Sequence, residues 1–446
     1  MRIPDQPPNA MKIIQQDAKA FAAILSDEKV REFAKEVDRR YLHWDRLKFI
    51  AHAQKIAPEM VWALVKITRQ STSRVLPLTG HKGIPLRFNL SDAIQRELMM
   101  IDQELAGRFI ADDENPLTSG QKERFIISAL REEAIASSML EGAVTTRTDA
   151  KKMLQSGRKP RSQGEKMVLN NYQAIMFIRE NRSVDMSPQL LLELQKILTK
   201  DTLDDANQVG RWRTAADDVD IVDIRDGEII HTPPPANELE DRINRLCEFA
   251  NDKHHGEFIH PVVKACILHF QLGFDHPFCD GNGRTARAVF YWYMLRSGYW
   301  LFEYLPLSRL IIDGPSKYVK AYLYCETDEF DVTYFLAYNA RIISRARHEL
   351  KKYIKKKLGE IRKTKQVFTR DLRLNHRQRE IILQATRAPE RSFNIASHQS
   401  ISNIAYGTAR SDLLKLEEWG YLTRAQFGNR YEFFPSSKIT RNSGKP

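Results

Sequence analysis

Apolar residues recur every three to four positions over long stretches of this chain, and that spacing predicts a mostly helical protein. FAAILSDEKVREFAKEV and LKFIAHAQKIAPEMVWALVKI carry the pattern through residues 16–70. LSDAIQRELMMIDQELAGRF and SGQKERFIISALREEAIASSML resume it beyond residue 90. A denser helical set then follows, from SQGEKMVLNNYQAIMFIRE through HPVVKACILHFQLGF and GRTARAVFYWYMLRSG to PSKYVKAYLYCE. Residues 1–15 read as a loose arm, 71–92 as irregular chain with a turn in GHKGIPLRF, and QSGRKPRSQG (155–164) as a polar linker.

One stretch breaks the helical period. DVDIVDIRDGEIIHTPPP, 218–235, alternates β-branched residues around Asp226-Gly227, a dipeptide that favours a two-residue hairpin turn. A lone hairpin cannot build a sheet core, so the expectation is a flap at 219–232. From about Val332 a long helix leads into the C-terminal part. There, LNHRQREIILQAT reads as a helix, HQSISNIA as a short helix, AYG as a turn and TARSDLLKLEEWGYL as a second amphipathic helix. YLTRAQFGNRYEFFP follows as strand, turn and strand, completing the order of a winged helix-turn-helix. The expected fold class is mainly all-α. The expected divisions are an N-terminal helical region (1–160), a helical core (161–345), a basic helical linker (346–373) and the winged-helix-like part (374–440).

Composition narrows the class. With 42% hydrophobic and 28% charged residues in 446, the chain reads as an ordinary globular protein. No window approaches about 18 uncharged apolar residues, so no membrane span is expected. MRIPDQPPNAMKII lacks an apolar signal-peptide region, which makes the cytoplasm the expected compartment. Cys247, Cys266, Cys279 and Cys325 form no CxxC pair and read as small apolar fillers. The net charge of +12 is local: residues 341–370 hold twelve Lys or Arg against two Glu. That run is either a solvated helix face or a surface for nucleic acid or another anion.

The densest chemistry lies in HPFCDGNGRTAR, residues 276–287, a loop between two predicted helices. A helix N-terminus gathers unpaired N–H groups and the positive end of the dipole. Gly281 and Gly283 let backbone approach a ligand closely, which makes an anion nest suited to phosphates. Asn282 can donate to a phosphate oxygen while tolerating a left-handed backbone. Arg284 and Arg287 oppose the dipole at roughly 0.3–1 kcal/mol each, a cost that a bound anion offsets. Asp280 is a hard oxygen ligand beside the nest, fitting Mg²⁺. Histidine is the side chain that can titrate near neutral pH, so His276 fits a general base acting on an attacking hydroxyl.

The whole stretch resembles the Fic signature HPFx[DE]GNGRxxR without departure. The resemblance implies an all-helical core with a β-hairpin flap and transfer of AMP from ATP to a hydroxyl of a target protein. It casts His276 as the base and Asp280 as the Mg²⁺ ligand. It places Gly281, Asn282, Gly283 and Arg284 on the nucleotide phosphates and Arg287 on the γ-phosphate. GRWR (210–213) resembles a further family feature, in which Arg213 reads as structural. YLHWDRLKF (41–49) and its neighbours resemble the N-terminal extension of larger members.

SSMLEG, 137–142, resembles the family's inhibitory motif [ST]xxxE[GN] through Ser137, Glu141 and Gly142. Its charge logic is that Glu141 would pair with Arg287, braced by Ser137 one turn earlier, with Gly142 ending the helix. The implied state is autoinhibited. The flap would pair with an extended target segment by β-augmentation. Alternative readings are removal of AMP at the same site, transfer of another phosphate-linked group, or a DNA-binding regulator with a Fic sensor core. Thr408, Ala409, Arg410 and Ser411 would open its recognition helix, Arg424 and Arg430 would sit on the wing, and Asp412, Glu417 and Glu418 would weaken the basic face. The expected partners are therefore a target protein, the chain itself (including a homodimer), and DNA or protein through 374–440.

Overall fold

The computed structural model describes residues 2–105, 119–217, 219–223, 227–253, 257–368, 373–387, 391–427 and 430–438. The protein is mainly α-helical, and the strands among the described residues form three separate two-stranded hairpins. Two compact units are interleaved along the chain. One comprises 1–108, 173–302 and 307–345; the other comprises 109–172, 303–306 and 346–446. The helices Gln163–Glu180 and Thr333–Phe368 each contribute residues to both.

In the first unit the expected loose arm is ordered. Asn9 accepts from Lys12 N and caps the helix Ala10–Gln16, Ala10 is buried, and Trp62 Nε1 donates to Pro8 O. An indole N–H buried by packing needs an acceptor, and the arm supplies one. Residues 74–88 are also more regular than expected: Arg74–Thr79 and Pro85–Phe88 pair antiparallel around a turn that carries His81. The YLHWDRLKF segment explains itself by burial. Val37, Trp44, Leu47 and Trp62 form a satellite core. Tyr41 OH donates to Asp331 Oδ2 at 2.6 Å, and Lys66 Nζ donates to Asp328 Oδ1 at 2.5 Å. Buried charges of this kind persist only when paired, so these bonds pin the N-terminal helices against the 328–334 segment.

The centre of this unit is the helix pair Pro261–Asp275 and Asn282–Arg296, joined by the HPFCDGNG loop. Both helices are buried nearly all round, as expected of core helices. Phe270, Phe274 and Trp292 are fully buried between them and their neighbours. The hairpin of the expected flap is short: Ile221–Val222 pairs with Ile229–His231, with an irregular register. At its closed end, Asp223 N donates to Glu228 O and Gly227 N donates to Asp223 O. Asp226 lies outside the described residues.

In the second unit, the helix Ser119–Leu140 packs with Arg147–Ser156, a helix the apolar pattern alone does not announce. Thr146 accepts from Asp149 N and caps that helix, while Ile135, Ala150, Met153 and Val168 close a small core. The C-terminal segment has the helices His376–Arg387, Ile395–Ser402 and Tyr406–Glu418, then the hairpin Leu422–Phe427 with Arg430–Pro435. Leu374, Ile382, Leu413, Leu416 and Phe433 form its core. The turn between the second and third helices lies two residues earlier than expected, at 403–405. Asn403 adopts a left-handed backbone and ends the helix, so Tyr406 and Gly407 belong to the next one. Asn is among the few residues that visit this conformation readily. The side chains of 357–372, residues 428–429 between the last two strands and the Arg430 side chain lie outside the described residues.

Candidate active site

The site is built where one core helix stops and the next begins. His276 caps the helix Pro261–Asp275 in a left-handed backbone (φ 45°), and its N–H reaches back to Leu272 O. A non-glycine residue there is strained, at a cost of order 1–3 kcal/mol. The surroundings hold it. Arg213 Nε donates to His276 O at 2.7 Å and Arg213 Nη2 to Pro234 O at 2.5 Å and Asp275 O at 3.2 Å, while Arg213 N donates to Pro277 O. The structural reading of Arg213 is thereby explained: one guanidinium collects the carbonyls of the turn.

The side chain of His276 is oriented as well. Its Nδ1 lies 3.2 Å from Gly273 O. A carbonyl only accepts, so Nδ1 carries the proton and the neutral ring has its lone pair on Nε2. Asp275, directly before it, is fully buried. Burial pushes its carboxyl up, opposed by Arg242, whose Nε donates to Asp275 Oδ1 at 2.7 Å. Gln271 also donates to both carboxylate oxygens.

Beyond His276 the loop is clamped from within. Asn282 Nδ2 donates to Phe278 O at 2.7 Å, and Phe278 N donates to Asn282 Oδ1 at 2.9 Å. The Asn282 amide thus closes a ring on the loop backbone. Phe278 is fully buried and stacks on Trp212, with centroids 4.9 Å apart. Gln195, also fully buried, donates to Asp280 O and accepts from Gly210 N at 2.6 Å. Gly281 has φ 87°, and a Cβ there would meet the Thr199 methyl at 3.1 Å. Glycine is required at this position by backbone conformation and by space.

The helix Asn282–Arg296 has no side-chain cap; its first internal bond runs from Thr285 N to Gly281 O. The N–H groups of residues 282–284 therefore have no intrahelical acceptor, which is the anion-binding geometry of a helix N-terminus. Asp280 lies at this mouth with its side chain 45% exposed, accepting from Gly281 N and from Arg284 Nη2 at 2.9 Å. Arg284 is buried and also donates to Leu198 O. Arg287 is buried one turn further on, where its charge helps push His269 down to about 3, after burial itself. Burial and the neighbouring Asp217 push the Cys279 thiol up to about 11, as expected of a filler rather than a nucleophile.

Ser137, Glu141 and Gly142 lie in the second unit, at the end of the helix Ser119–Leu140. Ser137 is buried. Ala143 N donates to Ser138 O and Gly142 N to Met139 O, with Gly142 at φ 85°. This is a Schellman ending, and it makes Glu141 the C-cap residue. A carboxylate there faces the negative end of the dipole, so helix stability does not account for it.

Three residues of the site escape a reading of the signature alone. Gln195, Arg242 and Asp275 hold the loop from other helices or from just outside the motif. Asp275 carries a signal, a carboxylate inside an otherwise apolar helix end. Gln195 reads as one more polar position of an amphipathic helix.

A helical domain with a histidine-led, glycine-rich junction at a helix N-terminus is the class these features define. Residues 185–294 match the Fic/DOC family, and this segment is a Fic/DOC-family domain. A protein adenylyltransferase Fic of Nematostella vectensis is 38% identical over 69 residues, which is 16% of this chain and 16% of that protein. The corresponding protein of Drosophila virilis is 38% identical over 69 residues, 16% of this chain and 14% of its own length. The matched stretch thus spans about a sixth of these relatives. A solved Fic family protein from Desulfovibrio desulfuricans G20 is 20% identical, with a TM-score of 0.48, covering 78% of this chain and 97% of that one. Ser137, Glu141 and Gly142 lie outside the family match.

Proposed function

We propose that the chain is a protein adenylyltransferase, moving AMP from ATP to a hydroxyl side chain of a target protein. One observation carries the reading: His276, fixed as the Nε2-basic tautomer by Gly273 O, stands at the loop that ends on the uncapped N-terminus of the helix Asn282–Arg296. The 38% identity to proteins named protein adenylyltransferase supports it over the stretch they share.

In this reading, the N–H groups of residues 282–284 receive the ATP phosphates, with Arg284 and Arg287 supplying positive charge. Gly281 and Gly283 permit the close approach, and Asn282 holds the loop in shape. His276 Nε2 takes the proton of the target hydroxyl. The hydroxyl oxygen bonds to the α-phosphorus, the bond from that phosphorus to the bridging oxygen breaks, and pyrophosphate leaves. Positioning and charge neutralisation then do most of the catalytic work. Asp280 fits a Mg²⁺ ligand, being a partly exposed carboxylate with lone pairs beyond its two hydrogen bonds. Mg²⁺ held there would neutralise phosphate charge.

The same reading assigns Glu141 an inhibitory role, with Ser137 and Gly142 fixing the helix end that carries it. The SSMLEG motif and the unfavourable C-cap position of Glu141 support this. The test is label transfer from ATP carrying the label at the α-phosphate, with a γ-labelled control, in wild type, Glu141→Gly and Glu141→Gly/His276→Ala. Adenylyl transfer predicts α-label, and no γ-label, in the single variant and its loss in the double. Absence of α-label in every sample, with target-containing extract supplied, would defeat the reading and shift weight to AMP removal.

A further inference from the structure

A second cluster of ligand-type side chains lies in the first unit, outside the nucleotide site. His81, on the turn of the 74–88 hairpin, His231, at the end of the short hairpin, and Glu326, on the helix Pro315–Thr327, converge. One ligand atom from each lies within 4.8 Å of the others. His231 is buried, and the other two are partly exposed.

The hydrogen bonds of His231 set the problem. Its Nε2 lies 2.9 Å from Phe274 O, so that nitrogen carries the proton. Its Nδ1 lies 2.8 Å from Glu326 Oε2. A neutral His231 would therefore aim a lone pair at a carboxylate. Something positive must sit between them, and a proton or a metal ion would serve. His81 adds a third donor to the same corner, its ring centroid 5.9 Å from that of His231. A proton between His231 and Glu326 leaves that third donor unused. A metal ion uses all three.

The architecture around the rings fits a metal. Ligating histidines almost always donate their other ring N–H to a carbonyl or carboxylate, which fixes tautomer and orientation. His231 does this to Phe274 O. Phe274 also packs edge-on against His81 at 4.9 Å and tilted against His231 at 5.0 Å, which walls the site on one side. Of the other nearby charges, Arg242 is tied to Asp275 and Glu238, so its field is largely offset.

We propose that His81, His231 and Glu326 bind a divalent transition-metal ion of the Zn²⁺ type, with a fourth position left for water. Two imidazoles and one carboxylate suit Zn²⁺ and its neighbours over Mg²⁺, which prefers oxygen donors. Ligand distances of about 2.0–2.2 Å place tetrahedral donors roughly 3.4 Å apart, between the shortest and longest separations of this cluster. The ion would tie the end of the short hairpin to the helix Pro315–Thr327 and to the 80–84 turn, three segments distant in sequence.

The full-length chain, stripped with EDTA, would be titrated with Zn²⁺ against a chromophoric chelator. The variants are His81→Ala, which removes a side chain on a surface turn, and Glu326→Gln, which keeps volume. Both would also be made in a His276→Ala background, which removes the nucleotide-site imidazole as a ligand. Helical circular dichroism would verify that each variant is folded. One Zn²⁺ per chain is expected in wild type and in His276→Ala. Both His81→Ala and Glu326→Gln should weaken it at least about 100-fold. Co²⁺ in place of Zn²⁺ should give visible absorption bands that the same variants lose. Failure of wild type to bind one equivalent, or unchanged affinity in either variant, overturns the proposal and leaves a His231 imidazolium paired with Glu326.

Discussion

Arg213 and His276 stand 63 residues apart, and Arg213 Nε donates to the main-chain oxygen of His276 at 2.7 Å. The guanidinium also holds the carbonyls of Pro234 and Asp275. It touches no reacting atom in the proposed chemistry, so it acts by positioning. Lysine keeps the charge but lacks the planar fork. Arg213→Lys is therefore expected to lower the α-label transfer rate by about 100-fold, since small misplacements of a reacting group cost that much. ATP binding should change little, because the helix N-terminus is untouched. Single-turnover rates with nucleotide affinity measured in parallel check this; equal losses in both would show that the loop has collapsed instead.

Gly142 allows a prediction that separates backbone from charge. Its φ is 85°, and no atom lies within 4 Å of where a Cβ would be. Alanine there meets no clash and pays only for the left-handed backbone, about 1–2 kcal/mol. Gly142→Ala should therefore lower the urea midpoint modestly. If Glu141 restrains the proposed transfer from this helix end, the same change should also raise self-modification, though less than Glu141→Gly does. A lowered midpoint with unchanged modification would mean that the cap serves the fold alone.

Acid stability is expected to have a histidine component. His43 is pushed down to about 4, by burial above all, despite the nearby Asp328 and Asp45. Its bonds suit the neutral ring: Nδ1 accepts from Asp45 N, and Nε2 faces Thr327 Oγ1, whose own proton goes to Leu323 O. The folded pKa lies below the unfolded value near 6.5. Below pH 6.5 the unfolded chain gains a proton that the fold refuses, so stability is full above that pH and falls toward pH 4. The loss from this residue is about 3 kcal/mol over the window. His43→Asn, whose Oδ1 can take over the Nδ1 contact, should flatten the slope of urea midpoint against pH between 6.5 and 4. An unchanged slope would assign the acid response elsewhere.

The division between what was legible and what was not follows bond distance along the chain. HPFCDGNGRTAR reads as an anion site because its glycines, carboxylate and helix start are contiguous. Its supports were not legible. Gln195 and Arg213 reach the loop from 60 to 90 residues away, and no local pattern links them. Asn282 shows a subtler limit. Its type fits a phosphate donor, but its position four residues after Phe278 also lets the amide bond back on the loop, and the structure shows that bond. The helical fold class was plain from the apolar period. The interleaving of 109–172 with the chain beyond 346 was not, since periodicity says which face is buried and not against what. The helix Arg147–Ser156 was missed because it is short and charged, although Thr146 and Asp149 mark its start.

Asp412 supplies the last test and corrects an expectation. Among the acidic residues thought to dilute a basic face on the helix Tyr406–Glu418, it is buried instead. It accepts from Arg377 Nε at 2.5 Å and Asn375 Nδ2 at 2.8 Å, and lies 3.2 Å from His398 Nε2. Glu417, in turn, pairs with Arg424 at 3.2 Å, so part of the hairpin's charge is neutralised within the segment. Burial works against the Asp412 carboxylate, but its hydrogen bonds to His398, Arg377 and Asn375 outweigh that and hold it far below the ordinary carboxylate range. Its folded pKa is depressed, so its contribution is present above the unfolded value near 4 and is lost as pH falls further. Asp412→Ala leaves the Arg377 charge and several donors facing a void, a change expected to cost about 3–5 kcal/mol. Asp412→Asn keeps one acceptor oxygen and should cost less. Limited proteolysis read by mass should then cut within 374–438 first in Asp412→Ala, later in Asp412→Asn and last in wild type. Equal cutting in all three would mean that the apolar core of Ile382, Leu413, Leu416 and Phe433 holds the segment without the polar tie.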